Sequence, residues 1–156
     1  MLQTSLAIAS KRDHRDFDPT PLDPQVVHRI LDAGRLSGSA RNRQPWRLFV
    51  AQSAQARARL AATVYVPRLL MSAPLAVVVA VQQQGSRVGG VDAGRCAQNM
   101  MLAAWSEGVA SCPNGIAAPA ELSKNSLLRS LLIYPGASAF TRMPCLAHST
   151  ARTRVS

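Results

Sequence analysis

Apolar residues recur at helical spacing in the first part of the chain. Asp23 followed by Pro24 is a helix start signal, because aspartate caps free backbone amides and proline suits the first helical turn. Apolar residues then mark one face as far as Gly34. The pattern predicts a helix over residues 24–36, and a shorter pattern of the same period predicts another over residues 2–10.

Two continuous apolar runs predict buried strands. The run "WRLFVAQ" at residues 46–52 follows a proline, and "APLAVVVAVQ" at residues 73–82 is rich in β-branched residues. Runs without polar alternation are typical of strands that are covered on both faces. The intervening "SAQARARLAATV", residues 53–64, predicts a helix. We therefore expect helices on both sides of the sheet.

The second half of the chain is organised around one apolar helix. "GSRVGG" predicts a loop, and Asp92 then serves as the predicted cap of a central helix that is buried on almost all sides. Gly108 ends this helix, "VASC" predicts a short strand, and "CPNG" predicts a turn. "LLRSLLIYPG" predicts a further strand.

Periodicity is lost after Gly136, where the sequence becomes rich in Ser, Thr and Arg. A length of 156 residues fits a single domain. We expect one domain over residues 1–136 and a divergent, poorly ordered tail over residues 137–156.

The formal net charge is +10 at pH 7, and nearly all of the basic residues are arginine. This balance favours an anionic partner such as nucleic acid, a phosphorylated cofactor or an acidic surface. Aromatic residues make up only 4% of the chain, and they are not interleaved with the basic ones as a base-stacking surface requires. A small anionic ligand is therefore favoured over nucleic acid.

Cysteine usage indicates neither a disulfide framework nor a zinc site. Cys96, Cys112 and Cys145 are odd in number, widely spaced and form no C-x-x-C pair. No window has the length of a membrane span, and no basic region leads the first apolar stretch. We expect a cytoplasmic protein without a metal and without membrane association.

The run "KRDHRDF", residues 11–17, is a candidate oxyanion site. Lys11, Arg12 and Arg15 can converge on one phosphate, for which the planar fork of arginine is well suited. The alternative is a solvated charge cluster, because Asp13 and Asp16 nearly balance the cations.

The stretch "SGSARNRQPW", residues 37–46, is a candidate site for a flat ligand. Its small residues allow the backbone to approach such a ligand closely, and Asn42 and Gln44 add amide side chains. The alternative is an ordinary loop between a helix and a strand, with Trp46 as its aromatic anchor.

The order of these segments resembles the nitroreductase family. Its members typically read R-R-S-x-R-x-F, then a helix, then P-S-x-x-N-x-Q-P-W and a strand. The later "DAGRCAQNMMLAAWSEGVASC" resembles the central helix of the same family. The resemblance covers the chain from Ser10 to about Gly115.

This resemblance implies an α+β fold with a central, mostly antiparallel sheet flanked by helices. It also implies a homodimer with FMN at the subunit interface. Electrons would pass from NADH or NADPH through the flavin N5 to a nitroaromatic, a quinone or a related small electrophile. No side-chain catalyst is implied, and we expect the histidines to be surface residues.

Three groups of site residues follow from the resemblance. The first holds the FMN phosphate and ribityl chain: Lys11, Arg12, Asp13 and Arg15. The second contacts the ring and the ribityl hydroxyls from the partner subunit: Gly38, Ser39, Ala40 and Asn42. The third lies beside the reactive ring nitrogen: Cys112, Pro113, Asn114 and Gly115.

The sequence departs from the family pattern at several points. Asp13 stands where many relatives have serine. The flavin-cleaving branch of the family, which makes dimethylbenzimidazole, also carries aspartate at this position. Gly38 stands where the family usually has proline. Near the C-terminus only a trace of the family pattern, "IYPG", is present. Two other functions therefore stay open: a flavin-binding or degenerate protein without catalysis, and a nucleic-acid-binding module that rests on charge alone.

Overall fold

The computed structural model describes residues 4–81, 88–117, 132–133 and 145–152. The helices in these ranges are α1 (Thr4–Ser10), α2 (Pro24–Arg35), α3 (Ala54–Ala61), α4 (Pro67–Ser72) and α5 (Val88–Ser106). The strands are β1 (Trp46–Ala51), β2 (Leu75–Val81), β3 (Val109–Gly115), β4 (Leu132–Ile133) and β5 (Cys145–Arg152).

The five strands form one sheet in the order β3-β5-β2-β1-β4. Each described pairing between neighbouring strands is antiparallel, and Leu48 of β1 lies opposite Val79 of β2. The α+β class with a mostly antiparallel sheet is therefore confirmed.

Strand β2 shows why the apolar runs are continuous. Its alternate residues Leu75, Val77, Val79 and Val81 pack towards α2 and α5, while Ala76, Val78 and Ala80 pack with residues of α3 and α4. Because successive side chains of a strand point to opposite faces, both sets must be apolar when helices cover both faces. The prediction of helices on both sides is confirmed.

Helix α2 begins where the sequence predicts. The side chain of Asp23 accepts a hydrogen bond from the amide of Gln25 at 2.7 Å, and the helix ends at Arg35. Its buried face meets α5, where a Cβ added to Gly34 would lie 2.7 Å from Met100 Cγ and Sδ. Glycine at this position therefore lets the two helices approach closely.

Helix α5 differs from the sequence prediction at its start and on its surface. It begins at Val88, so the predicted loop is wrong for residues 88–90, and Asp92 lies inside the helix rather than at its cap. One face is buried and another is exposed, the exposed residues including Arg95 and Asn99. Alanine and methionine made the sequence look apolar all round, although the polar positions recur at helical spacing. No helix in the described ranges combines the length and apolarity needed to cross a membrane.

Two further differences concern the strands. β3 continues through Gly115, so the turn predicted at "CPNG" is wrong, because these residues pair with β5 from Ser149 to Leu146. β5 itself lies within the predicted tail, between β2 and β3. Without a strand there, the facing amides and carbonyls of β2 and β3 would lack partners.

Candidate functional site

The basic run of residues 11–17 lies along the free edge of β3. Asp13 forms a parallel bridge with Ser111, and the amide of His14 donates to the carbonyl of Ser111 at 3.2 Å. Backbone pairing therefore fixes this segment beside β3. Its placement brings Lys11 and Arg15 close enough to influence Cys112.

The cations of this run have different partners. The side chain of Lys11 is only 10% exposed and is ion-paired with Asp13. Arg12 turns back to the end of α1, and its Nη1 donates to the carbonyl of Ala9 in that helix and to the carbonyl of Lys11 just after it, at 2.9 and 2.8 Å. Arg15 is exposed. The guanidinium of Arg15 is therefore the group best placed to meet an outside anion.

Aromatic contacts tie the same run to α5. His14 stacks on Trp105 with ring centroids 5.8 Å apart and an interplanar angle of 26°. The indole of Trp105 donates to Ser10 Oγ at 2.9 Å. His14 is half-buried, unlike the surface position that we expected, whereas His28 is exposed.

Cys112 lies in the core beside the basic run and is 2% exposed. Burial raises the pKa of its thiol above the ordinary 9.0, Asp13 adds to the rise, and Arg15 and Lys11 oppose it. The thiol is therefore protonated at neutral pH, and a nucleophilic role is disfavoured. Within the described part of the chain, no group of three or more His, Cys, Asp or Glu side chains could hold a metal ion.

Asn114 and Gly115 have clear structural partners. The side chain of Asn114 donates to the carbonyl of Val66 at 2.9 Å and accepts from the amide of Val66 at 3.2 Å. A Cβ added to Gly115 would lie 2.9 Å from Tyr65 Cδ2. Asn114 and Gly115 therefore connect β3 to the segment before α4. Pro113, which lies between Cys112 and Asn114, is exposed.

The second half of the candidate site is the loop of residues 37–44, which we call the small-residue loop. The amide of Ala40 donates to both carboxylate oxygens of Asp92, at 3.1 and 3.3 Å. Ser39 Oγ accepts from the amide of Gln44 at 2.7 Å, and Asn42 is exposed. The loop is thus held both internally and from α5.

Three residues of this loop have left-handed backbone conformations. Their φ angles are 55° at Arg41, 53° at Asn42 and 46° at Gln44. Such conformations cost about 1–3 kcal/mol each in most residues other than glycine, and less in asparagine, and they cluster at functional sites. The hydrogen bonds made by Ser39 and Asp92 fix the backbone of the loop, so they stabilise these strained conformations.

The two halves contact different faces of α5. Asn99 donates to Ser37 Oγ at 2.8 Å, whereas Met101 accepts from Lys11 Nζ at 3.7 Å. Residues two positions apart in a helix point about 200° apart around its axis. The small-residue loop and the basic run are therefore separated by the width of α5 within one chain.

Sequence reasoning missed several residues that build this region. Asp92 was expected as a helix cap, and its role as an acceptor for Ala40 depends on tertiary packing that local spacing does not show. Ser111 Oγ is buried and has no hydrogen-bond partner among the described residues. Tyr65 and Val66 belong to no recognisable sequence motif. Pro67, which follows them, is a helix start signal from which the short α4 could have been predicted.

Comparison with known proteins decides the family. Residues 8–67 and 65–135 match the model of the Nitroreductase family. The chain belongs to the nitroreductase family. This finding confirms the family that the motifs indicate.

The relatives of this nitroreductase-family chain are distant in sequence. A protein of Methanothermobacter thermautotrophicus, provisionally named NADH dehydrogenase/NAD(P)H nitroreductase, is 24% identical over 113 residues. The match covers 70% of this chain and 59% of that relative, so the chain spans about three fifths of the relative's length.

Solved structures share the fold at low identity. A nitroreductase family protein of Clostridium novyi NT superposes with a TM-score of 0.79 and 14% identity, covering 99% of this chain and 87% of that one. A provisionally named nitroreductase of Desulfovibrio desulfuricans, solved in complex with FMN, has a TM-score of 0.76 and 23% identity, covering 97% and 87%. The predicted nitroreductase fold is confirmed.

Proposed function

We propose that this chain is one subunit of an FMN-dependent oxidoreductase. It takes electrons from NADH or NADPH and reduces a small electrophile such as a nitroaromatic or a quinone. The observation that carries the proposal is the bridge between Asp13 and Ser111. That bridge holds the basic run beside β3, where the family motif implies the FMN phosphate and ribityl chain.

The residues present fit such a cofactor. Arg15 is exposed and offers a planar donor fork to a phosphate. Arg12 keeps donors beyond those used at α1, because a guanidinium carries five N–H groups. The hydroxyl of Ser111, which has no partner among the residues that the structure describes, lies at the same bridge, and the ribityl chain of FMN carries hydroxyls that can pair with it.

The separation of the two halves supports a homodimer. Within one chain, the small-residue loop and the basic run contact different faces of α5, so one chain does not bring them together around a single ligand. A second copy would place its Gly38–Asn42 segment against the flavin of the first. The exposed α1 side chains Leu6 and Ile8, at 50% and 60%, are apolar surface available for that contact.

The proposed reaction requires no acid, base or nucleophile from the side chains. FMN, when bound, supplies the transfer of electrons between donor and acceptor. The chain binds and orients it through the basic run, and the small-residue loop leaves room for a flat molecule to stack. The protonated thiol of Cys112 needs no catalytic role. We also propose a cytoplasmic location, which the free thiols of Cys96 and Cys112 support.

A second candidate is a flavin-binding protein without turnover. The ion pair between Lys11 and Asp13 withdraws one cation from the proposed phosphate contact, which weakens the hold on FMN in either candidate. Both candidates bind FMN, so electron transfer from NAD(P)H separates them.

The test is gel filtration of the full chain with added FMN, followed by its visible spectrum. The proposal expects oxidised flavin to co-elute at dimer size and to be bleached by NADH or NADPH. Flavin that binds but is not bleached would select the second candidate, and colourless protein would refute both.

A matched pair of variants locates the phosphate contact. Arg15→Ala should weaken FMN binding by about tenfold or more, because a charge-assisted hydrogen bond is lost. Arg59→Ala removes the same charge from the exposed surface of α3 and should leave FMN affinity unchanged. Equal affinities in the two variants would remove Arg15 from the site.

A further inference from the structure

We propose that the small molecule meeting the small-residue loop carries an oxyanion, which Arg41, Arg43 and Arg95 receive. This inference rests on the proposed function and names its substrate class. The shared chemistry is a phosphate monoester or a carboxylate. Its source is either the 2′-phosphate that distinguishes NADPH from NADH, or an acidic substituent on the electron acceptor.

Arg95 lies directly over the small-residue loop. A Cβ added to Gly38 would be 2.6 Å from Arg95 Nη2, 3.4 Å from Cζ and 3.6 Å from Nη1. Glycine, where relatives usually have proline, thus makes room for the guanidinium. No carboxylate of the described residues is ion-paired with Arg95, which is exposed.

Arg41 presents a second guanidinium at the exposed tip of the same loop. Its backbone has φ 55° and ψ 25°, a conformation that glycine or asparagine adopts more readily. The chain keeps a long cationic side chain at a strained position, which is typical of a side chain with a function. Arg43 follows two residues later, and its Nε donates to the carbonyl of Ala40 at 3.3 Å.

The carboxylate that contacts the loop, that of Asp92, is turned inward. Asp92 is 3% exposed, and both of its oxygens face the amide of Ala40. The three guanidinium groups are exposed and the carboxylate is covered, so the outer surface of the loop is positive. Such a surface concentrates anions, and planar guanidinium groups bind phosphate and carboxylate in two-pronged contacts.

The experiment compares substrates with and without the additional oxyanion on the FMN-loaded protein. Donors are NADPH, which has the 2′-phosphate, and NADH, which lacks it; acceptors are 4-nitrobenzoate and 4-nitrobenzyl alcohol. We expect kcat/KM to favour the member of one pair that carries the additional oxyanion, and the double variant Arg41→Ala/Arg95→Ala to lower that preference by about tenfold or more. A donor preference identifies the phosphate as the source, and an acceptor preference identifies the carboxylate.

Two variants control for loss of charge and for loss of fold. Arg41→Lys/Arg95→Lys keeps the charges and should retain much of the preference, while Arg59→Ala on α3 should retain all of it. A readout independent of turnover is the dissociation constant of adenosine 2′,5′-bisphosphate compared with adenosine 5′-monophosphate, measured by calorimetry. If the donor is the source, the double alanine variant should lose the tighter binding of the bisphosphate.

Equal kcat/KM values within both pairs, in an enzyme whose flavin is reduced normally, would overturn the inference and leave the proposed function intact. Protein that holds no flavin, or whose flavin neither nucleotide bleaches, would refute the proposed function. It would overturn the inference as well, because the loop would then serve no reaction.

Discussion

The amide of Ala40 is bound by both carboxylate oxygens of Asp92, at 3.1 and 3.3 Å. Ala40 belongs to the small-residue loop, and Asp92 lies in the first turns of α5. This contact fixes the loop against the helix. It also covers a carboxylate that would otherwise offset the neighbouring arginines.

Asp92→Ala should therefore destabilise the protein and loosen the loop. An amide left buried without its acceptor costs about 1–3 kcal/mol, and the amide of Ala40 is part-buried, so we expect a loss in the lower part of that range. Asp92→Asn keeps one carbonyl oxygen as an acceptor and should lose less. Urea unfolding measures both free energies, and an alanine variant as stable as the unmodified chain would contradict the role assigned to this contact.

Asp92 also shows where sequence reasoning stops. Aspartate before an apolar helical pattern is a cap signal, and the helix itself was correctly predicted. The structure begins α5 four positions earlier, at Val88, and gives the carboxylate to a loop 52 residues away in sequence. A partner so distant leaves no local spacing that could reveal it.

Substitutions of Gly34 and Gly94 by alanine should change the free energy of unfolding in opposite directions. A Cβ there would lie 2.7 Å from Met100 Cγ and Sδ, whereas a Cβ at Gly94 meets nothing within 4 Å. Gly34→Ala should lower the free energy of unfolding by about 1–3 kcal/mol through overpacking. Gly94→Ala, in an exposed part of α5, should raise it by roughly 0.5–1 kcal/mol because alanine favours the helix.

Thermal and urea unfolding of both variants would check this contrast. Adding Met100→Ala to Gly34→Ala should relieve part of the clash, so the two substitutions should be non-additive. Simple additivity would indicate that Met100 does not limit the approach of α2 and α5.

Substitution of Asn114 should lower the free energy of unfolding by an amount that depends on the new side chain. Asn114→Ala leaves the amide and the carbonyl of Val66 without their side-chain partners, at a cost of about 1–3 kcal/mol for each group that stays buried. Asn114→Asp keeps an acceptor for the amide, but its ionised carboxylate would be buried against the carbonyl of Val66 without a donor, so at neutral pH it should destabilise at least as much as alanine. An aspartate variant more stable than the alanine variant at neutral pH would contradict this order, and urea unfolding distinguishes the cases.

The candidate site could be predicted from sequence only in outline. The motifs of residues 11–17 and 37–46 identified its segments, because they combine charge or small size with a characteristic order. They did not show that the side chain of Asn114 is hydrogen-bonded to Val66, or that the side chain of Arg12 turns back to α1. Those outcomes depend on which backbone groups are left unpaired after the elements pack.

The ion pair between Arg29 and Glu107 predicts a dependence of stability on pH. Arg29 Nε and Nη2 donate to Glu107 Oε1 and Oε2 at 2.7 and 2.9 Å, joining α2 to the end of α5. This hydrogen bonding holds the pKa of Glu107 below its ordinary 4.5. The carboxylate is therefore favoured in the folded protein, and its stabilisation is complete above pH 4.5 and lost as the pH falls through the lowered folded value.

Arg29→Ala should accordingly be less stable than the unmodified chain at neutral pH, and the difference should close in acid below the folded pKa of Glu107. Urea unfolding at a series of pH values measures the gap. Glu107→Gln removes the titrating group and should show a similar gap at neutral pH that also closes in acid, because only the unmodified chain then loses the pair. A gap that persists unchanged in acid would mean that Arg29 stabilises the α2–α5 contact by packing rather than through the carboxylate.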